Sequence, residues 1–178
     1  MVELMSALMA LCVFLRYGAT FEAVIYYTLI SALLVITFID LDFQIIPDVI
    51  SLPGIPLGFL CSFFLPLKFT YSLLGILLGG GSLLIVAWLY EIIAKKEGMG
   101  GGDIKLLAMI GAFLGPKGVI FTIFISSVVG SLTGIIFMFY MKKNMKLAVP
   151  FGPFLSIGAL AYIFFGPELI RWYFNILR

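Results

Sequence analysis

The sequence predicts an all-α integral membrane protein, a polytopic transmembrane helical bundle of about six or seven spans. Hydrophobic residues make up 63% of the 178 positions and charged residues only 11%, and the mean hydropathy is +1.22. A soluble domain of this composition would expose more apolar surface than water tolerates. Because about 20 apolar residues cross the hydrocarbon core, we expect one membrane domain that covers residues 1–178.

Apolar runs separated by charged, glycine or proline breaks justify this count in chain order. The predicted spans are Leu4–Leu15, Phe21–Ile39, Val49–Leu65, Tyr71–Ala94, Ile104–Leu114, Val119–Met141 and Phe151–Phe165. No basic residue precedes the short first run, so we interpret it as a membrane segment rather than a signal sequence. The fifth run ends at the Gly115-Pro116 break. The aromatic and basic tail, residues 169–178, is predicted to lie at the headgroup level.

The distribution of lysines predicts the orientation. With seven spans, the loops around Asp40, Asp103 and residues 142–146 emerge on one side of the membrane. That side holds Lys95, Lys96, Lys105, Lys142, Lys143 and Lys146, whereas the opposite loops hold Lys68 and Lys117. Cytoplasmic loops are enriched in Lys and Arg, so we expect the first side to face the cytoplasm, although the arginines reduce the bias.

Composition also limits the chemistry. The chain contains no histidine, which removes Ser-His and Cys-His nucleophile pairs and HExxH zinc sites. Cys12 and Cys61 lie far apart in apolar runs without a zinc-binding spacing, so no metal site is predicted. The net charge of +2 and the lack of a basic run with interleaved aromatic residues argue against nucleic acid as a partner. Hydrolysis would have to come from carboxylates or lysines.

Two carboxylates at the membrane edge are the candidate catalytic residues, because such groups are costly there and usually serve a function. Asp40 is the first charged residue after Glu22, at the end of the second run, and Asp103 follows a run of three glycines at the start of the fifth. Both lie at the same face. Two such groups can share a proton, one activating water and the other protonating the carbonyl oxygen or the leaving amine. Asp40 and Asp103 are therefore predicted to hydrolyse a peptide bond.

The helix ends predict a division of roles between these two aspartates. The positive end of a helix favours a carboxylate, so Asp103 at a helix start is predicted to be the base and Asp40 at a helix end the proton carrier. Simpler roles stay open, since Asp103 can equally be an ordinary N-cap. Asp48 is better explained as a cap, and Asp42 as a solvated group.

Several other features concern the scaffold. Gly75–Gly79 and Gly130–Gly134 have the GxxxG spacing that permits close contact between helices. Lys105 either steers the scissile carbonyl or anchors at the interface. The break at residues 150–153 can border a substrate groove, since irregular backbone at membrane depth needs protein or water around it.

Three segments, IDLDFQIIPD, GMGGGDIKLLAMIGAFLG and PFGPFL, together resemble the type IV prepilin peptidase family, the GxGD-type membrane aspartic proteases. The resemblance covers nearly the whole chain. In that family the first aspartate shortly precedes the proline of an I/L-P-N/D step, which matches Asp40 and Pro47, and the second closes GxGD, which matches Asp103. Asp42 also precedes that proline and is the less favoured match. The motif and substrate-positioning residues are then Pro47, Gly100, Gly102, Lys105, Pro150, Gly152 and Pro153.

The resemblance implies an aspartic endopeptidase of a bacterial-type cytoplasmic (inner) membrane. It would remove the short basic leader of prepilin or pseudopilin proteins at the cytoplasmic face, as type IV pilus assembly and protein secretion require. Longer relatives also methylate the new N-terminus with S-adenosylmethionine and carry upstream Cys-x-x-Cys zinc ligands. The chain opens close to where that region ends, so it is either a short member of the family or has lost its N-terminal part. The cysteine pairs are absent, so bound zinc is not predicted. The peptidase needs no cofactor, and S-adenosylmethionine would be used only if methyltransferase activity is retained.

The alternative function is a proton- or cation-coupled transporter, because acids and broken helices also mark transport sites. No inverted repeat is evident, and a transporter's acids would lie nearer midspan than Asp40 and Asp103 do. A Ser-Lys protease would need a serine beside an embedded lysine, and none is well placed. A noncatalytic assembly protein would tolerate Asp103→Asn.

Overall fold

The computed structural model describes residues 2–95, 100–141 and 150–176. These residues form the helices α1 (Val2–Tyr17), α2 (Phe21–Phe43), α3 (Asp48–Cys61), α4 (Phe69–Ala94), α5 (Gly101–Met141) and α6 (Gly152–Ile176). No strand occurs within the described ranges. Three of the described stretches are long and apolar enough to cross a membrane, namely Phe21–Phe43, Phe69–Ala94 and Gly101–Ile136. The predicted all-α membrane class is confirmed.

Helix α5 is broken at Gly115, whose φ of 69° and ψ of −175° are not helical. Glycine adopts this conformation because it has no Cβ. A Cβ on Gly111 would lie 2.9 Å from Cγ2 of Val119, whereas eight residues of straight helix would separate them by about 12 Å. The chain therefore folds back at Gly115, and α5 consists of a first half (101–114) and a second half (116–141). This confirms the break predicted there.

Glycines allow α4 to pack closely on the first half of α5. A Cβ on Gly75 would collide with the carbonyl group of Gly111, and one on Gly79 with that of Leu107. Ser72 Oγ also donates a hydrogen bond of 2.6 Å to the Ala112 carbonyl. The close contact predicted for the first GxxxG pair is confirmed.

Only one glycine of the second GxxxG pair, Gly130, lies against a neighbouring helix. A Cβ on Gly130 would lie 3.5 Å from the Phe154 ring of α6, whereas one on Gly134 would meet nothing within 4 Å. Ser126 Oγ donates to the Phe154 carbonyl at 3.0 Å and joins the same two helices. The close contact predicted for Gly134 is not seen, because none of the residues that the structure describes lies near enough to that position to require a glycine.

Two ends of the bundle can be distinguished. We call the end formed by residues 40–48, 100–105 and 150–152 the Asp40 end, because α2 finishes there and α3, α5 and α6 begin there. At the opposite end, Arg16 forms an ion pair with Glu168, and the Tyr17 hydroxyl donates to the Ile163 carbonyl at 2.6 Å. Lys96, Gly98, Lys142, Lys143 and Lys146 lie outside the described residues, so the orientation stays a prediction.

Some predicted boundaries were wrong. Helix α2 continues through Phe43 rather than ending at Ile39, and the N–H of Gln44 donates to the Asp40 carbonyl at 2.9 Å. Helix α3 ends at Cys61, ahead of Leu65. Helix α6 runs on to Ile176, beyond the predicted end of the last span at Phe165. The helix allowed for the tail is therefore present, and its place at the headgroup level stays a prediction. Apolar runs mark where a chain can be buried, whereas helices continue as long as their backbone hydrogen bonds do.

Candidate active site

Asp40 lies on the last turn of α2 and is only 4% exposed. Its Oδ2 accepts a hydrogen bond of 3.0 Å from the backbone N–H of Gly152, at the start of α6. The first N–H groups of a helix have no partner within that helix and carry its positive end, so they stabilise a carboxylate. A Cβ on Gly152 would lie 2.5 Å from the same Oδ2. Glycine is therefore required here to let the carboxylate reach the backbone of α6.

Asp103 lies in the first turn of α5, where its backbone N–H donates to the Gly100 carbonyl at 3.3 Å. It is half-buried and interacts electrostatically with Asp40. Two residues that are 63 positions apart in the chain are thus brought to one place. A pair of neighbouring carboxyl groups in a protected site can hold and transfer a proton.

Both aspartates line one open cavity of about 810 Å³ at the Asp40 end. The cavity is also lined by the predicted residues Pro47, Gly100, Gly102, Lys105 and Pro150. Of the other predicted residues, Gly152 contacts Asp40 directly. Pro153 is buried in the first turn of α6 and does not line the cavity. Its position favours a role in starting α6, because proline suits the first turn of a helix.

Sequence reasoning missed Ile46, which lies between α2 and α3. It is 9% exposed, whereas its neighbour Ile45 is 63% exposed. A Cβ on Gly102 would lie 2.9 Å from Cβ of Ile46, and a Cβ on Gly152 would lie 3.4 Å from its Cδ1. Two adjacent isoleucines in a short connection indicate that one isoleucine side chain is buried there. The sequence does not show whether that side chain belongs to Ile45 or to Ile46.

Lys105 and Asp48, which both line the cavity, form an ion pair. The Lys105 ammonium donates to both carboxylate oxygens of Asp48 at 2.8 Å, with 36% and 53% of the two side chains exposed. The pair joins α5 to α3. The predicted cap by Asp48 is wrong, because the N-cap position belongs to Pro47 and has no side-chain cap bond. Asp42 is exposed and does not line the cavity.

The structure removes the premise of the predicted division of roles. That argument placed Asp40 only at the negative end of its own helix. Asp40 also lies at the positive end of α6, through its bond to Gly152, while Asp103 lies in the first turn of α5. Both carboxyl groups are therefore near a helix N-terminus. Which of them is the base stays a prediction.

The helices and the paired carboxyl groups define a helical integral membrane protein with a two-aspartate site at one end of its bundle. Residues 27–135 match the model of the type IV leader peptidase family. The chain belongs to that family. Among the described residues, no group of three or more histidine, cysteine or acidic side chains could hold a metal ion.

Curated relatives carry the name prepilin leader peptidase/N-methyltransferase. That of Pseudomonas putida is 39% identical over 172 residues, which cover 95% of this chain and 59% of the relative. That of Pseudomonas aeruginosa is 37% identical (97% and 60% covered), and that of Xanthomonas campestris is 36% identical (97% and 61%). The chain thus spans about three fifths of the length of these relatives. No solved structure matches it, and the family match gives no support to the transporter alternative.

Proposed function

We propose that this protein is an aspartic endopeptidase that removes the leader of type IV prepilin-like proteins at the cytoplasmic membrane. The observation that carries this proposal is the meeting of Asp40 and Asp103 in one open cavity at an end of an apolar bundle. The substrate class, type IV prepilin-like proteins, is taken from the names of the relatives. The excess of lysine in the loops that the sequence predicts on the same side as Asp40 and Asp103 supports the cytoplasmic orientation.

Hydrolysis by this pair follows from one shared proton. The ionised carboxyl group removes a proton from a water molecule, whose oxygen attacks the peptide carbonyl carbon, while the protonated carboxyl group donates its proton to the carbonyl oxygen. In the second step the C–N bond breaks, and the proton held by the first carboxyl group passes to the leaving amine. One hydroxyl group of the tetrahedral intermediate becomes the new carbonyl and returns its proton to the second carboxylate, so the pair again holds one proton. The hydrogen bond from the Gly152 N–H positions the Asp40 carboxyl group for these steps. No metal or organic cofactor enters these steps.

The surroundings of the cavity suit a substrate that is part polar and part membrane-embedded. The cavity mixes the charged pair Asp48–Lys105 with the apolar side chain of Phe151. Beside it, Val49 and Leu52 of α3 expose their side chains on the outer surface of the bundle. A polar leader would enter the cavity, while the hydrophobic helix that follows it remains in the bilayer. Methyl transfer from S-adenosylmethionine is a separate reaction that this pair of carboxyl groups does not require.

Substitution of either aspartate tests the proposal. Purified protein in detergent would be given a prepilin-type substrate, and cleavage by the wild type would be compared with that by Asp40→Asn and Asp103→Asn. We expect each variant to lose about 100- to 10,000-fold in rate, because each loses one of two groups that transfer protons. Asp42→Asn is the matched control, since Asp42 lies nearby but is exposed outside the cavity, and it should cut at the wild-type rate.

Other outcomes would assign a different function. Cleavage that survives Asp40→Asn or Asp103→Asn in folded protein contradicts the catalytic pair. A folded wild type that cuts no prepilin-type substrate, yet moves protons or cations across proteoliposomes in a way that depends on both aspartates, favours the transporter.

A further inference from the structure

The segment between α2 and α3, residues 44–47, is short and mostly exposed, with the exception of Ile46. Its side chain turns away from the surface and packs with the hydrophobic core. Burial of one side chain within an exposed connection fixes the path of the backbone on both sides of it. Asp40 precedes this segment by one helical turn, so its position depends on that path.

The neighbours of Ile46 belong to the two other segments that build the site. On one side is Gly102, immediately before Asp103, with the Cβ of Ile46 at 2.9 Å from a Cβ placed on that glycine. On the other is Gly152, which binds Asp40, with Cδ1 of Ile46 at 3.4 Å from a Cβ placed there. Each glycine leaves the space that the isoleucine occupies. One apolar side chain thus separates and supports the starts of α5 and α6.

We propose that Ile46 is a positioning residue, a wedge between Gly102 and Gly152 that sets the distance between the carboxyl groups of Asp40 and Asp103. This inference rests on the proposed peptidase function. Isoleucine suits the role because a β-branched side chain has few rotamers and holds one shape. Protein interiors are close-packed, so a shortened side chain lets its neighbours shift.

Removal of the wedge tests the proposal. We expect Ile46→Ala to lower kcat for leader cleavage by roughly 10- to 100-fold, the loss typical of a displacement of about 1 Å in a catalytic geometry, with KM nearly unchanged. Leu41→Ala removes the same number of carbon atoms from a side chain that is 55% exposed, and it should leave kcat unchanged. A wild-type kcat in folded Ile46→Ala, or equal losses in both variants, would overturn the proposal.

Two further variants sharpen the test. Gly102→Ala forces a methyl group against Ile46. This substitution and Ile46→Ala therefore change the same contact, the one between residues 102 and 46. We expect the double variant to lose less than the product of the two single losses; losses that multiply would contradict the wedge. If Ile46→Ala does not fold, Ile46→Val decides the matter, because it lacks only Cδ1. A kcat reduced by a few-fold supports the proposal, and an unchanged one overturns it.

A structural measurement separates this inference from the peptidase assignment. Cysteines would replace Asp40 and Asp103 in a protein whose Cys12 and Cys61 are changed to alanine, and a short bifunctional thiol reagent would cross-link them. We expect a higher yield of cross-link with Ile46→Ala than with Leu41→Ala, because without the wedge the starts of α5 and α6 can approach each other. An equal or lower yield would overturn the wedge even if the peptidase is confirmed. A higher yield, together with a protein with both aspartates intact that cuts no substrate, would overturn only the peptidase.

Discussion

Glycine serves two different purposes at two places in this molecule. Between α4 and α5, Gly75 and Gly79 lie directly against the backbone of the facing helix. At the Asp40 end, Gly102 and Gly152 lie against side chains, those of Ile46 and Asp40. The same missing Cβ therefore lets two helices approach in the first region and makes room for the side chains of Ile46 and Asp40 in the second.

The difference shows how packing and chemistry can be separated by substitution. In membranes, close contact between helices contributes to stability because lipid offers no hydrophobic gain for association. An added methyl group between α4 and α5 should thus act on folding. A methyl group beside Asp40 should act on catalysis, because it displaces a carboxyl group that must be held closely in position.

Among the substitutions that test this comparison of the two regions, Gly152→Ala should have the largest effect on activity. Its Cβ would lie 2.5 Å from Oδ2 of Asp40, so the carboxyl group must move and lose its bond to α6. We expect leader cleavage to fall by about 100-fold or more, measured as kcat on purified protein with a matched melting temperature. Gly130→Ala is the control, because a Cβ there makes only ordinary contact with Phe154. Full activity in Gly152→Ala would mean that this bond does not position the aspartate.

A smaller effect, on stability rather than rate, is expected from Gly79→Ala. Its Cβ would collide with the Leu107 carbonyl, and overpacking of this kind costs about 1–3 kcal/mol. This loss of stability would be measured as a decrease in the free energy of unfolding in detergent. The kcat per folded molecule should stay near the wild-type value. Gly81→Ala on the same helix meets nothing within 4 Å and should not destabilise. If Gly79→Ala lowered only kcat, the two regions would not differ as described.

The smallest effect should come from Asp48→Asn, which breaks the ion pair with Lys105. Both side chains are substantially exposed, and exposed pairs contribute about 1 kcal/mol or less. We expect the free energy of unfolding to fall by no more than this amount. The difference between the variant and the wild type should shrink as salt is added, because salt screens the ion pair. Asp42→Asn provides the comparison. A loss of cleavage as large as that of Gly152→Ala would place Asp48 among the residues that hold the substrate.

Much of the site was predictable because it rests on local patterns. The apolar runs, the Gly115 break and the rarity of acids in the membrane singled out Asp40 and Asp103 without any tertiary information. The helix-end argument for their roles lost its basis because it considered only each residue's own helix. The bond between Asp40 and Gly152 joins residues 112 positions apart, and such a contact has no signature in either segment.

The sequence by itself determined the class of protein, the approximate positions of the helices and the aspartate pair. The physical reason is that a bilayer requires apolar, internally hydrogen-bonded segments and tolerates few charges, so these features must appear in the composition. Only the tertiary structure decided that α6 holds Asp40, that Ile46 rather than Ile45 is buried, and that Lys105 pairs with Asp48. These choices depend on which helix faces which, and helix packing is set by contacts between distant segments rather than by any one of them.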